Sequence, residues 1–187
     1  MKNVFSVKSA MMLMLMALVS FSGAGALAGD QARSDEIWQM LEDSDWVLDG
    51  DSEAETVVYT FTDPNCPYCD RLRDEADAWI EAGEVQLRHI MVGILREDSA
   101  LLSATMLGRE DSSAALAEHQ AGELEVHRET AAGARKRVMA NNDLMSQIGA
   151  RATPTSLYLD ESGQIGAAQG LPHPGTMEEM MGGAKPD

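Results

Sequence analysis

Two cysteines three residues apart constrain this chain more than any other feature. Cys66 and Cys69 stand in the run Thr62-Asp63-Pro64-Asn65-Cys66-Pro67-Tyr68-Cys69-Asp70, and the chain has no other cysteine. Just before them, Thr56-Val57-Val58-Tyr59-Thr60-Phe61 is β-branched and aromatic, and it reads as a buried strand. Just after them, Leu72, Ala76 and the pair Trp79-Ile80 recur at helical spacing. Asp63-Pro64-Asn65 is turn chemistry. The cysteine pair is therefore expected where a strand feeds the first turn of a helix.

That placement has chemical consequences. Residues three apart on a helix share a face, so the two sulfurs can approach and bond. The N–H groups of a first helical turn lack intrahelical partners and carry partial positive charge. They favour a thiolate, the form that attacks disulfides. Cys66, nearer the helix start, is the expected nucleophile, and Cys69 the resolving thiol. Pro67 suits an early helical position, where its missing N–H would have had no partner.

Three other readings compete with redox catalysis. A zinc site needs two more ligands, and His89, His119, His127 and His173 lack finger-like spacing. An inert disulfide across so short a loop would add little stability. Two unrelated buried thiols are the third. No metal and no organic cofactor is expected, and His89 reads as a packed or rim histidine.

The first 28 residues read as an export signal. Lys2 and Lys8 form a positive start, residues 10–19 are apolar, and Ala26-Leu27-Ala28 is an A-x-A cleavage site. The apolar run is shorter than the ~20 residues that a membrane span requires. Cleavage would remove five of the 13 Met, two of the 14 basic residues and none of the 31 acidic ones. With a net charge of −17 before cleavage, nucleic acid and anionic membrane surfaces are unsuitable partners. An exported chain folds in an oxidising compartment.

Elsewhere the spacing predicts a short helix over 34–42 capped by Ser34, a strand at 46–48 ended by a turn at 49–52, and a strand over 85–92. Residues 98–148 read as helical in four pieces, 99–107, 112–120, 129–140 and 142–148, with Asp111 capping the second. Met106, Met139 and Met145 are expected as core filler there, and Arg135-Lys136-Arg137 as a solvated patch. A strand over 155–160, a hairpin turn at 160–163, a strand over 164–169 and a helix over 176–181 complete the chain.

Taken together, these segments resemble the DsbG branch of the DsbC/DsbG thiol:disulfide interchange proteins. The resemblance lies in Thr62-Asp63-Pro64-Asn65-Cys66-Pro67-Tyr68-Cys69, Trp38-Gln39-Met40-Leu41-Glu42, Trp46-Val47-Leu48-Asp49-Gly50 and Val85-Gln86-Leu87-Arg88. Val92-Gly93-Ile94, Ala152-Thr153-Pro154 and Gly170-Leu171-Pro172 extend it across residues 35–182. It implies an α/β thioredoxin fold with a helical insertion at 98–148. It implies three regions: a signal peptide at 1–28, a short helix and linker at 29–54, and a catalytic domain at 55–183. The dimerisation domain that precedes this linker in the family has no counterpart here, so a monomer is expected. The resemblance makes the Thr153-Pro154 bond cis and sets it opposite the cysteines. It gives Thr153, Pro154, Pro67 and Tyr68 to substrate binding. The implied activity is periplasmic exchange or reduction of disulfides and sulfenic acids in exported proteins. An inner-membrane donor would supply the electrons. A DsbA-like disulfide-donating oxidase and a non-catalytic holdase are the alternatives.

Overall fold

In the computed structural model, residues 23–186 are described, and side chains from residue 31 onward except Thr130. The basic start and apolar run of the expected signal lie outside them. The chain divides into two units, Met1–Glu36 and Ile37–Asp187. The described part of the first unit is helical. In the second, five strands form one sheet in the order β1-β3-β2-β4-β5.

The elements in chain order are α1 (Gly23–Glu42), β1 (Trp46–Gly50), β2 (Thr56–Thr62), α2 (Pro67–Glu81) and β3 (Val85–Met91). They continue as α3 (Ser99–Gly108), α4 (Ser112–Gln120), α5 (Arg128–Gln147), β4 (Thr155–Leu159), β5 (Ile165–Gln169) and α6 (Pro174–Met180). Strands β2 and β3 are parallel, joined by α2, and the other pairings are antiparallel. Central β2 is buried over most of its length, as its continuous apolar run requires. It delivers the chain to the cysteines.

One core cluster joins α2 and α6 to the sheet through Leu72, Ala76, Trp79, Val58, Leu87, Tyr158 and Met180. A second gathers Tyr59, Phe61, Ile90, Leu157, Leu41 and Met145. The third holds the helical insertion to Val47 and Met91 through Ala104, Met106, Leu116, Ala131 and Val138.

Several expectations need correction. Ser34 lies inside α1 rather than at its cap. The segment read as a linker contributes β1, which pairs with β3 along its whole length, so Asp49 and Gly50 are strand rather than turn. The insertion has three helices, not four. Asn141 and Asn142 read as a break because such side chains compete for nearby backbone. Here they turn away from it. Asn141 Nδ2 donates to the carbonyls of Asp45 and Met91 at 2.7 and 2.9 Å, and Asn142 Oδ1 accepts from the Gly93 amide at 3.0 Å. α5 therefore runs unbroken. Met139 is 64 % exposed and fills no core, unlike Met106 and Met145. Arg137 leaves the solvated patch to pair with Asp45 at 2.5 Å and to donate to the Leu107 carbonyl.

Gly93 sits where a Cβ would lie 2.4 Å from the Cα of Ala100. Only glycine lets this loop close onto α3. That approach positions the next two residues against the site.

Candidate active site

Cys66 is the N-cap of α2 and Pro67 its first residue. Both cysteines are free thiols, 2 % and 3 % exposed. Cys66 Sγ accepts from the Cys69 amide at 3.2 Å, as a capping side chain does. It also lies 3.3 Å from the Thr153 carbonyl, to which it donates when protonated. The Thr153–Pro154 bond is cis. Loop and sulfur thus form one surface, as drawn from the resemblance.

The two thiols are unlike. A hydrogen bond from the Cys69 side chain, opposed by burial, together with the neighbouring Thr153 hydroxyl and the Cys69 and Tyr68 amides, brings Cys66 down to about 6. Cys69 is pushed far up, because its bond to Cys66, its burial and the Cys66 charge all favour its protonated form. The pair therefore holds one proton at neutral pH, and Cys66 is the thiolate.

Thr153 has a second part to play. Its hydroxyl is buried without a hydrogen-bond partner. It also contributes to favouring the Cys66 thiolate. Tyr68 projects outward, 54 % exposed, with the Arg71 guanidinium 5.6 Å from its ring centre, and Pro67 is exposed beside it.

Asp63 is the largest departure from the sequence reading, which took it as turn chemistry alone. Its carboxylate is 1 % exposed and accepts four hydrogen bonds. Oδ1 takes them from Ser99 Oγ at 2.7 Å and the Asn65 amide at 2.9 Å. Oδ2 takes them from the Ile94 and Leu95 amides at 2.7 and 3.0 Å. Its charge is spent on this loop. Asn65 Nδ2 donates to Asp98 Oδ1 at 2.9 Å and Ser99 Oγ at 3.0 Å. Arg73 pairs with Asp49 and Asp77. The turn that presents Cys66 is thus anchored to the insertion. No local pattern signals this, since the partners lie about thirty residues away.

His89 is 2 % exposed, with Nδ1 2.8 Å from Thr62 Oγ1 and Nε2 3.7 Å from Asp49 Oδ2. Burial raises the Asp49 pKa, but His89 and Arg73 outweigh it and hold the carboxyl at about 2. Among the described residues, no group of three or more His, Cys, Asp or Glu converges to hold a metal.

The chain is 46 % identical over 151 residues to the thiol:disulfide interchange protein DsbG of Pseudomonas aeruginosa, covering 79 % of this chain and 59 % of that protein. It is 34 % identical to DsbG of Escherichia coli, covering 79 % and 61 %. It thus spans about three-fifths of the length of these curated relatives. Among solved structures it is similar to the catalytic domain of Proteus mirabilis ScsC, with 22 % identity, TM-score 0.63, and 82 % of this chain and 96 % of that one covered. It is also similar to a periplasmic thioredoxin-like protein from Salmonella enterica serovar Typhimurium, with 20 % identity, TM-score 0.61, and coverage of 79 % and 94 %. At these identities the likeness is one of fold. The family model of the thioredoxin-like domain matches residues 50–185, from the end of β1 past α6, and the chain belongs to that family.

Proposed function

We propose that this protein is a periplasmic thiol:disulfide oxidoreductase that reduces or exchanges disulfides and sulfenic acids in exported proteins. The observation that carries the reading is the Cys66 sulfur, lowered to about 6, facing the Thr153 carbonyl across a cis-proline loop. The relatives named DsbG support it.

The chemistry follows from the two unlike thiols. The Cys66 thiolate attacks one sulfur of a substrate disulfide, the S–S bond breaks, and the other sulfur leaves as a thiolate. A mixed disulfide joins Cys66 to substrate. Cys69 gives up its proton and attacks Cys66 Sγ. The substrate's second thiolate leaves, the protein pair becomes a disulfide, and the substrate has gained two electrons. With a sulfenic acid the first leaving group is hydroxide, released as water. Two of the three causes that raise the Cys69 pKa are the Cys66 hydrogen bond and the Cys66 negative charge, the other being burial. Forming the mixed disulfide removes both and frees Cys69 to react.

Pro67, Tyr68, Thr153 and Pro154 line the substrate's approach. An inner-membrane dithiol donor returns the two electrons, the export signal ends at Ala28, and the mature protein acts as a monomer. Among the described residues no helix is long and apolar enough to cross a membrane.

The test is trapping in periplasmic extract. Cys69→Ala lacks the resolving step and is expected to accumulate mixed disulfides with cysteine-containing proteins. Cys66→Ala is expected to trap few or none. Equal trapping by both variants would remove Cys66 as nucleophile.

A further inference from the structure

Resting on the reaction just proposed, the substrates can be narrowed by chemistry. Beside the Thr153-Pro154 loop lies a cleft of about 410 Å³ lined by Ile94, Asn142, Met145, Ser146, Ala150 and Arg151. It is built from the segments that hold the sulfur. Ile94 follows the glycine packed on α3, and its amide is fixed to Asp63, three residues before Cys66. Arg151 stands two residues before Thr153, whose carbonyl accepts from Cys66 Sγ. Two residues of chain span at most about 7 Å. A polypeptide held at Cys66 therefore brings a side chain near its own cysteine within reach of Arg151.

Among the described residues, several exposed basic side chains stand outside the ion pairs, and Arg151 is the one of them that lines this cleft. The chain has 31 acidic and 14 basic residues. Arg73, Arg109 and Arg137 are each paired with carboxylates. Arg151 is exposed, and among the described residues no carboxylate lies within ion-pair distance of it. Asp143 on α5 and Glu97 beyond the 93–95 loop are near in sequence to the cleft, but neither lines it. The remaining lining pairs apolar Ile94, Met145 and Ala150 with the amide of Asn142 and the hydroxyl of Ser146. That combination suits a carboxylate on a short apolar stem. The guanidinium takes the charge, and Asn142 Nδ2 can add a hydrogen bond, while the Ser146 hydroxyl already donates to the Asn142 carbonyl at 3.1 Å.

We propose that this cleft selects substrates with an acidic side chain within about two residues of the reactive cysteine, and that Arg151 is the specificity residue that reads the carboxylate. Arg151 takes no part in the sulfur chemistry. It sets which polypeptides reach it.

The experiment uses the reduced full-length protein and paired apolar peptides, each with one cysteine as a mixed disulfide with thiopyridine. Members of a pair differ only by Asp or Lys two residues from the cysteine. Thiopyridone release gives kcat/KM, divided by the rate with dithiothreitol to remove differences in intrinsic reactivity. Hydroxyethyl disulfide, small and uncharged, serves as the control substrate.

An exposed ion pair and the matching like-charge repulsion together predict a preference for Asp of about three- to tenfold. It should lie in KM, vanish in Arg151→Gln and reverse in Arg151→Glu. The rate with hydroxyethyl disulfide should be the same in all three proteins. Equal handling of Asp and Lys peptides, or a preference that survives Arg151→Gln, overturns the inference while leaving the reaction standing. Loss of the control rate in the Arg151 variants would make the residue structural and also overturns it. A wild-type protein that fails to exchange with hydroxyethyl disulfide overturns the proposed reaction itself, and the inference with it.

Discussion

His119 Nε2 lies 2.8 Å from the carbonyl oxygen of Pro64, 55 residues earlier in the chain. A carbonyl only accepts, so the imidazole nitrogen donates. Pro64 stands two residues before Cys66, and its turn is held from the insertion by His119 on α4 and by Asp98 and Ser99 at the start of α3. His119→Ala is expected to cost about 1 kcal/mol of stability. It should also loosen Cys66 from the α2 cap and raise its pKa. His119→Gln, which can still donate, should restore part of both. Thiolate absorbance against pH, read beside denaturant melts, separates the two effects. An unchanged Cys66 titration in the alanine variant would mean that the turn holds itself.

Asp63 carries a heavier load. Asp63→Ala leaves the Ile94, Leu95 and Asn65 amides and the Ser99 hydroxyl without their acceptor. The expected loss is about 3 kcal/mol or more, because buried donors are left unsatisfied. Asp63→Asn keeps the shape and part of the accepting capacity and should fall between. Equilibrium urea unfolding of the reduced proteins checks the ranking. A loss below about 1 kcal/mol for the alanine variant would show that the loop re-pairs with water.

Thr153→Val tests the opposite case. The hydroxyl has no hydrogen-bond partner in the dithiol, so its removal should leave the melting temperature unchanged or slightly raised. It contributes to the Cys66 thiolate, so the Cys66 pKa should rise and the pair become less oxidising. A retained fold with an unchanged titration would mean that the hydroxyl does not reach the charged sulfur.

The pH dependence of stability follows from the unlike thiols. Cys66 titrates at about 6 in the folded protein against about 8.5 in an unfolded chain. The folded value is depressed, so this contribution is fully present above about 8.5 and is lost as pH falls through about 6. It amounts to about 1.4 kcal/mol at pH 7. The Cys69 pKa is raised, and it works against the reduced fold only above the unfolded value. The disulfide form has neither term. The reduced protein should therefore melt higher than the oxidised one at neutral pH, with the gap closing toward pH 5. Calorimetry with and without reductant reads this directly. A higher melting oxidised form at pH 7 would mean that the thiolate is not the stabilised species.

Asn141 offers a check on the insertion itself. Its side chain ties α5 to the Asp45 and Met91 carbonyls. Asn141→Ala should cost about 2 kcal/mol, although alanine is the better helix former. A neutral or stabilised variant would show that helix propensity outweighs the two bonds.

How much of this was legible from residues depends on the range of the interactions. The strand into Cys66, the helix after it and the order of the two sulfurs are set by neighbours within one turn. Alternation, helical spacing and Pro67 report them. Asp63, Asn65 and His119 look ordinary in sequence because their partners are 31 to 55 residues away. Asn141 and Asn142 misled because their composition is that of a helix break, and only the carbonyls and amide they meet explain the continuous helix. Arg151 carries no sequence signal. It stands out only as the basic residue that lines the cleft beside the Thr153-Pro154 loop.

Cys66 Sγ and the Thr153 carbonyl meet across 87 residues of chain. Before α2 begins and brings the Cys69 side chain and the Cys69 and Tyr68 amides to it, Cys66 is an ordinary cysteine, mostly protonated at neutral pH. Its nucleophilicity is therefore a product of folding and is withheld from the nascent chain. That delay guards against the wrong disulfides with other unfolded thiols. A segment on its way to the folded state cannot capture them, because the groups that make its sulfur reactive have not yet arrived.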